Sequence, residues 1–461
     1  MDASMFDLST YFEEELLLRL YREKISKKRT KGIDRVSQEV FNTRKNEEIS
    51  LILSKVLNGS YKFSPFLEEL RIRSRDRLPR LISIPTIRDR LVLATLKIAL
   101  HEYFTESVRK QVASIYINEV NKTLSLNTFT YYIKIDIKSF FDSLSHTRLF
   151  TILNSILPET LYLLVKKAIL NPTVPKDCLS VEVEKYIPKA GVPQGISISN
   201  ILAEIYLRDF DILYGMREDI KYFRYVDDIL ILSNNLDLYS EVLHKLELLF
   251  LEPNGNKCSQ GNICDGFHYL GFHINNEFIS IQEKRVQKFL QRIAGKITWF
   301  QKAINNKPIR PNWLANEDTF VASFIDDLNE KITGAINGSR GYGWLFHYKE
   351  MNNINQLYRI ENVISSFFIR LSYFENKKPK ELKSIVRAYY EVKYKGLKSN
   401  YISNYNNIDS VDKKRLWLIN RGIISEKDDH VDDFINDVFE ANRDRNLKSL
   451  EKDEKELIGN Y

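Results

Sequence analysis

Between Lys221 and Ser233 the chain reads KYFRYVDDILILS, two apolar runs joined by adjacent carboxylates, Asp227 and Asp228. Apolar runs flanking a tight polar turn make a β-hairpin. The second run is apolar at four consecutive positions, and both strands are expected to be buried on each face. Asp is a common turn residue, and turn chemistry alone is the plain reading of an Asp-Asp pair. At the edge of a buried core, however, two like charges repel unless a cation joins them. That makes the pair a candidate metal site.

A third carboxylate lies in Tyr131-Tyr132-Ile133-Lys134-Ile135-Asp136-Ile137, which alternates as a strand does. Ile133, Ile135 and Ile137 share one face, and Asp136 lies on the other with Lys134. Hard oxygen donors suit Mg²⁺, with Mn²⁺ as the alternative. Three carboxylates on neighbouring strands can hold two such ions about 4 Å apart, the arrangement used in phosphoryl transfer.

The 461 residues allow about two to four domains, and no internal repeat or low-complexity linker divides them. Residues 8–60 read as helices broken at Lys31-Gly32-Ile33-Asp34. From Glu69 to Ile84 the pattern is strand-like, with Arg71, Arg73, Arg75 and Arg77 at alternate positions and so aimed the same way. Residues 87–105 look helical, as does the stretch after Asp136 to about 170. A Pro-containing connection leads to Gly191-Val192-Pro193-Gln194-Gly195, a helix covers Asn200–Leu213, and beyond 280 the pattern is helical almost to the end. Strands in the middle with helices on both flanks predict an α+β fold with helical additions.

The net charge of +7 hides a contrast between a basic first hundred residues and an acid-rich tail from Ser425, which fits a nucleic-acid partner for the basic parts. Asp428, Asp429, Asp432 and Asp433 read as solvated surface. Cys178, Cys258 and Cys264 cannot build a disulfide framework and suit a reducing compartment. With His268, the last two fit no common zinc module. Lys97, Lys166 and Lys167 cut the apolar runs well short of a membrane span, and the N-terminus lacks a secretion signal, so a cytoplasmic protein without a membrane partner is expected.

Asp136-Ile137-Lys138-Ser139-Phe140-Phe141-Asp142 with His146 resembles the first palm motif of bacterial reverse transcriptases. Gly191-Val192-Pro193-Gln194-Gly195 resembles their second, and Tyr225-Val226-Asp227-Asp228 their third. Weaker likenesses extend both ways. Arg80 with Ile84-Pro85-Thr86 and Asp89-Arg90 resembles the fingers motif of intron-encoded relatives, Lys257 falls where a motif-D lysine would, and Phe267–Phe272 resembles the primer-grip hairpin. Ser199-Asn200 replaces the Ser-Pro pair common in intron and retron enzymes, the retron Asn-Ala-x-x-His signature is absent, and no Cys/His endonuclease module is seen. Ile196-Ser197-Ile198-Ser199-Asn200 and the long helical C-terminus look most like the stand-alone reverse transcriptases of antiphage defence.

The resemblance implies a right-hand polymerase: fingers with N-terminal helices over 1–130, palm over 131–280 with a fingers insertion at about 145–188, helical thumb over 281–400, and a helical C-terminal extension over 401–461. It implies that Asp136, Asp227 and Asp228 hold two Mg²⁺ ions, with Ile137 counted at the metal site and Lys257 as the acid that protonates pyrophosphate. Arg80, with Arg71 and Arg73, would clamp the triphosphate, Phe141 would exclude ribose by a clash with its 2′-hydroxyl, and Gln194 and Gly195 would meet the new base pair. Lys134 and His146 are read as supporting residues. Nucleic acid would fall to Tyr225, Gly271, Lys284, Arg285 and Arg292. Lys288, Lys296, Trp299 and Phe300 mix charge with rings, as do Arg387, Tyr389, Tyr390, Lys393, Tyr394, Lys395 and Lys398, and such mixtures suit phosphates and bases as readily as they suit an ordinary amphipathic helix. The expected partners are an RNA template, taken to be a dedicated noncoding RNA, the DNA product and deoxynucleoside triphosphates, with a homo-oligomer left open. Protein-primed or template-independent synthesis, a retron or group II intron enzyme, and a non-enzymatic RNA-binding scaffold are the rival readings.

Overall fold

The structure, a computed structural model, describes residues 8–26, 30–72, 79–105, 113–306 and 316–458. It divides into two compact units, one built from residues 1–111 and 131–261, the other from 112–130 and 262–461.

The first unit contains β1 (Phe66–Arg71), β2 (Arg80–Ile84), β3 (Tyr131–Asp136), β4 (Thr173–Val174), β5 (Ile220–Tyr225), β6 (Asp228–Ser233) and β7 (Ser259–Asn262, whose last residue lies at the boundary). A four-stranded sheet in the order β5-β6-β3-β7 is its centre. The expected hairpin is β5–β6, and β3 pairs antiparallel with β6, Ile133 opposite Ile231 and Ile135 opposite Ile229. Ile229, Leu230, Ile231 and Leu232 are all fully buried, as their unbroken apolar run predicts. The stretch from Glu69 to Ile84 is not one strand. It is the antiparallel pair β1–β2, in which Arg71 stands opposite Arg80, so the two arginines are cross-strand partners. The expected helix over 200–213 is two helices, Ser199–Tyr206 and Arg208–Gly215.

Helix Ile87–Tyr103 starts where the sequence suggests, and its start ties the unit together. The Thr86 hydroxyl caps the helix, accepting from the Asp89 backbone N–H at 3.2 Å, and donates to the Asp89 carboxylate at 2.7 Å. The same carboxylate accepts from the Tyr61 hydroxyl at 2.8 Å and from the Ser64 N–H at 3.3 Å, which docks the segment leading into β1 onto the helix.

The second unit is mainly helical, as expected, with a hairpin where Phe267–Phe272 suggested one and further strands that the sequence pattern does not announce. β8 (Phe267–Tyr269), β9 (Phe272–Ile274) and β10 (Ile279–Ile281) form one antiparallel meander. β11 (Ala335–Asn337), β12 (Arg340–Tyr342) and β13 (Ser403–Asn404) form another small sheet. Its longest helices include Glu283–Asn305, Glu317–Thr333 and Ile354–Phe368. Among the described residues no helix is long and apolar enough to cross a membrane.

Burial raises the Asp89 carboxyl to about 6, against the hydrogen bonds that favour its charged form. The folded chain therefore holds this proton more tightly than the unfolded chain. That stabilisation is complete below about pH 4 and is lost as pH rises through 6. Urea unfolding should show the wild type losing on the order of 3 kcal/mol relative to Asp89→Asn between about pH 4 and 7. Parallel stability curves for the two proteins would refute this.

Candidate active site

The β5–β6 hairpin closes on the pair Tyr225–Asp228, leaving Val226 and Asp227 as a two-residue loop. Val226 takes a φ of 57°, a left-handed conformation that a β-branched residue adopts only at a cost on the order of 1–3 kcal/mol. Arg224 offsets that cost. Its fully buried guanidinium donates to the Val226 carbonyl at 2.8 Å. In turn it is gripped by Asp211, by Glu204 at 2.7 Å and, through Asp211, by the Tyr222 hydroxyl. A buried charge is tolerated when its partners surround it in this way. Sequence reasoning missed Arg224, Asp211 and Glu204. The available signal was a charged residue at the centre of a strand expected to be buried on both faces.

The cross-strand register sets Asp136 directly opposite Asp228, and the Ile137 N–H bonds the Asp227 carbonyl at 3.2 Å, bringing the third carboxylate's loop to the end of β3. Asp136 is buried. One carboxylate oxygen of Asp227, Oδ1, is enclosed without a hydrogen bond. Burial and then the charges of Asp228 and Asp136 push the Asp227 carboxyl up to about 7. Ammonium groups meet the other two: Lys257 Nζ bonds both oxygens of Asp136, the second at 2.7 Å, and Lys134 lies 3.7 Å from Asp228. Among the described residues no three carboxylate, His or Cys side chains converge into a ready-made cage. Adjacent hard oxygen donors with an enclosed, unpartnered oxygen nonetheless fit a divalent cation. The Ile137 side chain is in the core, so only its main chain can take part.

A second cluster forms around Gln194. Its side-chain oxygen accepts from Arg80 Nε, and its amide donates to Asp142 at 2.7 Å. The Ser83 N–H of β2 bonds the Gln194 carbonyl at 2.7 Å. Arg80 also stands 5.9 Å from the centre of the Phe141 ring, which is largely buried. Gly195, at φ 100°, lets the loop lie against β2, for a Cβ there would meet Ile82 at 2.7 Å. The His146 ring bonds the Gly191 carbonyl at 2.7 Å and steadies the loop. Asp142 is a further residue that sequence reasoning left without a role. Arg71 pairs with Glu69 at 2.6 Å on the exposed strand edge, and Arg73, Arg75 and Arg77 lie outside the described residues.

The remaining candidates belong to the second unit. Leu270 and Gly271 both take positive φ and form the two-residue turn between β8 and β9. On helix Glu283–Asn305, Lys284 is exposed while Arg285 and Arg292 are half-buried. Phe300 is not available for base stacking, because it lies in the core against Phe320 and Phe324. Trp299 beside it is exposed.

Residues 72–274, which include Arg80, Gln194 and all three carboxylates, match the family described as Reverse transcriptase (RNA-dependent DNA polymerase). That span is a reverse transcriptase domain, the nucleotidyltransferase module of RNA-directed DNA polymerases, and its mixed helices and sheets are the α+β fold of the right-hand polymerases. No curated protein matches the chain. Similar solved structures include apo telomerase from Candida tropicalis truncated from its C-terminal domain, at 16% identity and a TM-score of 0.38, covering 53% of this chain and 60% of that one. Telomerases from Candida albicans and Candida tropicalis, each with a TWJ fragment of telomeric RNA, match at 15% and 14% identity, both with a TM-score of 0.40. These cover 81% and 91% of this chain and 68% and 67% of the telomerase chains.

Replacing Arg224 with Leu leaves Asp211 and Glu204 as buried charges without a counter-ion and should cost about 3–5 kcal/mol in urea unfolding. Adding Asp211→Asn and Glu204→Gln should recover a large part of that loss. A single Arg224→Leu change that leaves the unfolding midpoint in place would contradict this account of the network.

Proposed function

We propose that this chain is an RNA-directed DNA polymerase whose reaction centre is the carboxylate trio Asp136, Asp227 and Asp228. The observation that carries the reading is the register that faces Asp136 with Asp228 beside the enclosed, unpartnered oxygen of Asp227. In the proposed reaction the primer 3′-oxygen bonds to the α-phosphorus of a deoxynucleoside triphosphate, the bond to the β-phosphate oxygen breaks, and pyrophosphate departs. Asp136, Asp227 and Asp228 would hold Mg²⁺, taken to be two ions, which when bound supply Lewis-acid stabilisation of the charge on the reacting phosphate.

The chain's own groups do the positioning. Arg80 contributes a fixed, always-charged fork for triphosphate oxygens, and its bond to Gln194 sets its direction. Phe141, wedged under that arginine, presents a rigid ring where a ribose 2′-hydroxyl would collide. Lys257, held at the site by Asp136, is the proposed proton donor to pyrophosphate. Residues 1–130 would act as fingers, 131–280 as palm, 281–400 as thumb and 401–461 as an extension, with Tyr225, Gly271, Lys284, Arg285 and Arg292 along the nucleic acid.

The template we propose is a dedicated noncoding RNA, and the setting antiphage defence in the bacterial cytoplasm. Support for that branch comes from Ile196–Asn200 and the long helical second unit.

Purified protein given an RNA template, an annealed primer, Mg²⁺ and deoxynucleoside triphosphates should extend the primer, and Asp227→Asn or Asp136→Asn should lower the rate at least a thousandfold (about 4 kcal/mol in the barrier). Near-normal extension by Asp227→Asn would overturn the mechanism. Phe141→Ala should admit ribonucleotides while retaining deoxynucleotide addition, with discrimination falling by about 10–100-fold. Unaltered sugar selectivity would remove Phe141 from this role.

A further inference from the structure

In the second unit an open cavity of about 650 Å³ lies between helix Ile354–Phe368 and helix Ile385–Tyr390 with its wide-turn continuation, Glu391–Lys395. None of the residues that line it has a part in the proposed nucleotidyl transfer. Its volume falls within the range of about 300–1,000 Å³ that holds ligands of small-molecule size.

Three tyrosines line the cavity while remaining exposed: Tyr358 at 55%, Tyr390 at 41% and Tyr394 at 75%. The rings of Tyr390 and Tyr394 are 6.0 Å apart and parallel to within 7°. Clustered apolar ring faces left in solvent mark a binding surface more often than chance. The wall balances Glu361 and Glu391 against Arg387 and Lys395, while the segment that supplies most of it is net positive. Residues 377–398 carry eight Lys and Arg against two Glu.

The acidic groups in the wall are already committed. Glu361 accepts from the Ser384 hydroxyl at 2.7 Å, the Val386 N–H at 3.2 Å and Lys378 at 3.2 Å. Glu391 accepts from Lys395 and from the Ser399 hydroxyl, each at 2.9 Å. Arg387, also in the wall, lies flat over the Tyr401 ring at 4.4 Å, which holds its guanidinium in a fixed place.

Parallel ring faces in a positively charged groove are the means by which proteins hold unpaired bases, since every base has a flat face and every linkage a negative charge. A duplex has no base faces to offer, and an acidic peptide would satisfy the charge while leaving the rings bare. We propose that this cavity binds unpaired bases of a single-stranded nucleic acid, with Tyr390 and Tyr394 as stacking platforms, Tyr358 beside them, and Arg387 on the phosphates. The site lies within the span proposed as thumb but uses none of the residues assigned to the reaction centre.

The test uses the full chain and fluorescein-labelled ten-nucleotide oligo-U RNA and oligo-dT DNA, read by anisotropy, with ultraviolet crosslinking and peptide mapping in parallel. The paired change Tyr390→Ala with Tyr394→Ala should weaken single-strand binding at least tenfold, because one stacked base is worth about tenfold in affinity. The paired change to Phe should stay within about twofold of wild type, since it keeps the ring faces. Crosslinks should fall within residues 358–395, and Asp227→Asn should retain them, which separates this site from the reaction centre. Equal losses on RNA and DNA identify a site blind to the sugar, and a larger loss on RNA identifies one that reads the 2′-hydroxyl. Should the alanine pair fail to fold, the crosslink map and the salt dependence of Arg387→Gln, reduced by about one unit of slope, decide the matter. Wild-type affinity in a folded alanine pair, or crosslinks confined to other residues, would overturn the site.

Discussion

The backbone ladder between Tyr131–Asp136 and Asp228–Ser233 is the constraint on which the first unit depends. A shift of one residue would turn every side chain of one strand to the opposite face, burying Lys134 and exposing the isoleucines. The alternation of buried Ile133 and Ile135 with Lys134 disfavours that shift, and the permitted register leaves two carboxylates face to face at the end of the pair. Core packing thus enforces a concentration of negative charge that no isolated strand would tolerate.

The chain manages this repulsion with cations from several directions. Lys257 comes from beyond β6, Lys134 from β3 itself, and Arg224 from β5, where it holds the strained turn rather than a carboxylate of the trio. Each cation stabilises a different part of the centre. At Asp227 burial, and then the charges of Asp228 and Asp136, outweigh the nearby Lys257 and raise the carboxyl.

Much of this was legible in the sequence because it follows from short-range patterns. The alternation around Asp136 and the two apolar runs around Asp227 announce their strands, and the pattern over 87–105 announces its helix. What was illegible depends on partners far away along the chain. Gln194 meets Arg80 across 114 residues, and nothing in Gly191–Gly195 names that partner. Glu204 and Asp211 sit on helices whose facing toward Arg224 no single-strand pattern reveals. Strands of two or three residues, such as β11 to β13, are too short for alternation to register. The division of Glu69–Ile84 into two paired strands was hidden by evenly spaced arginines, and the break at Leu207 carries neither Gly nor Pro. Phe300 looked like its neighbour Trp299, yet a step of one residue around the helix buries the first and leaves the second partly in solvent, though both touch Phe320.

The double tether between β2 and Gln194 has a mechanical consequence. With the Ser83 and Arg80 bonds both ending on one residue, and Ile82 pressed against Gly195, the β1–β2 ribbon cannot flex without carrying that loop along. Gln194 is tied onward to Asp142, so a displacement of β2 is delivered, as through a lever, to the stretch of chain that carries Phe141. A substitution in β1 can therefore displace the chain beside Phe141.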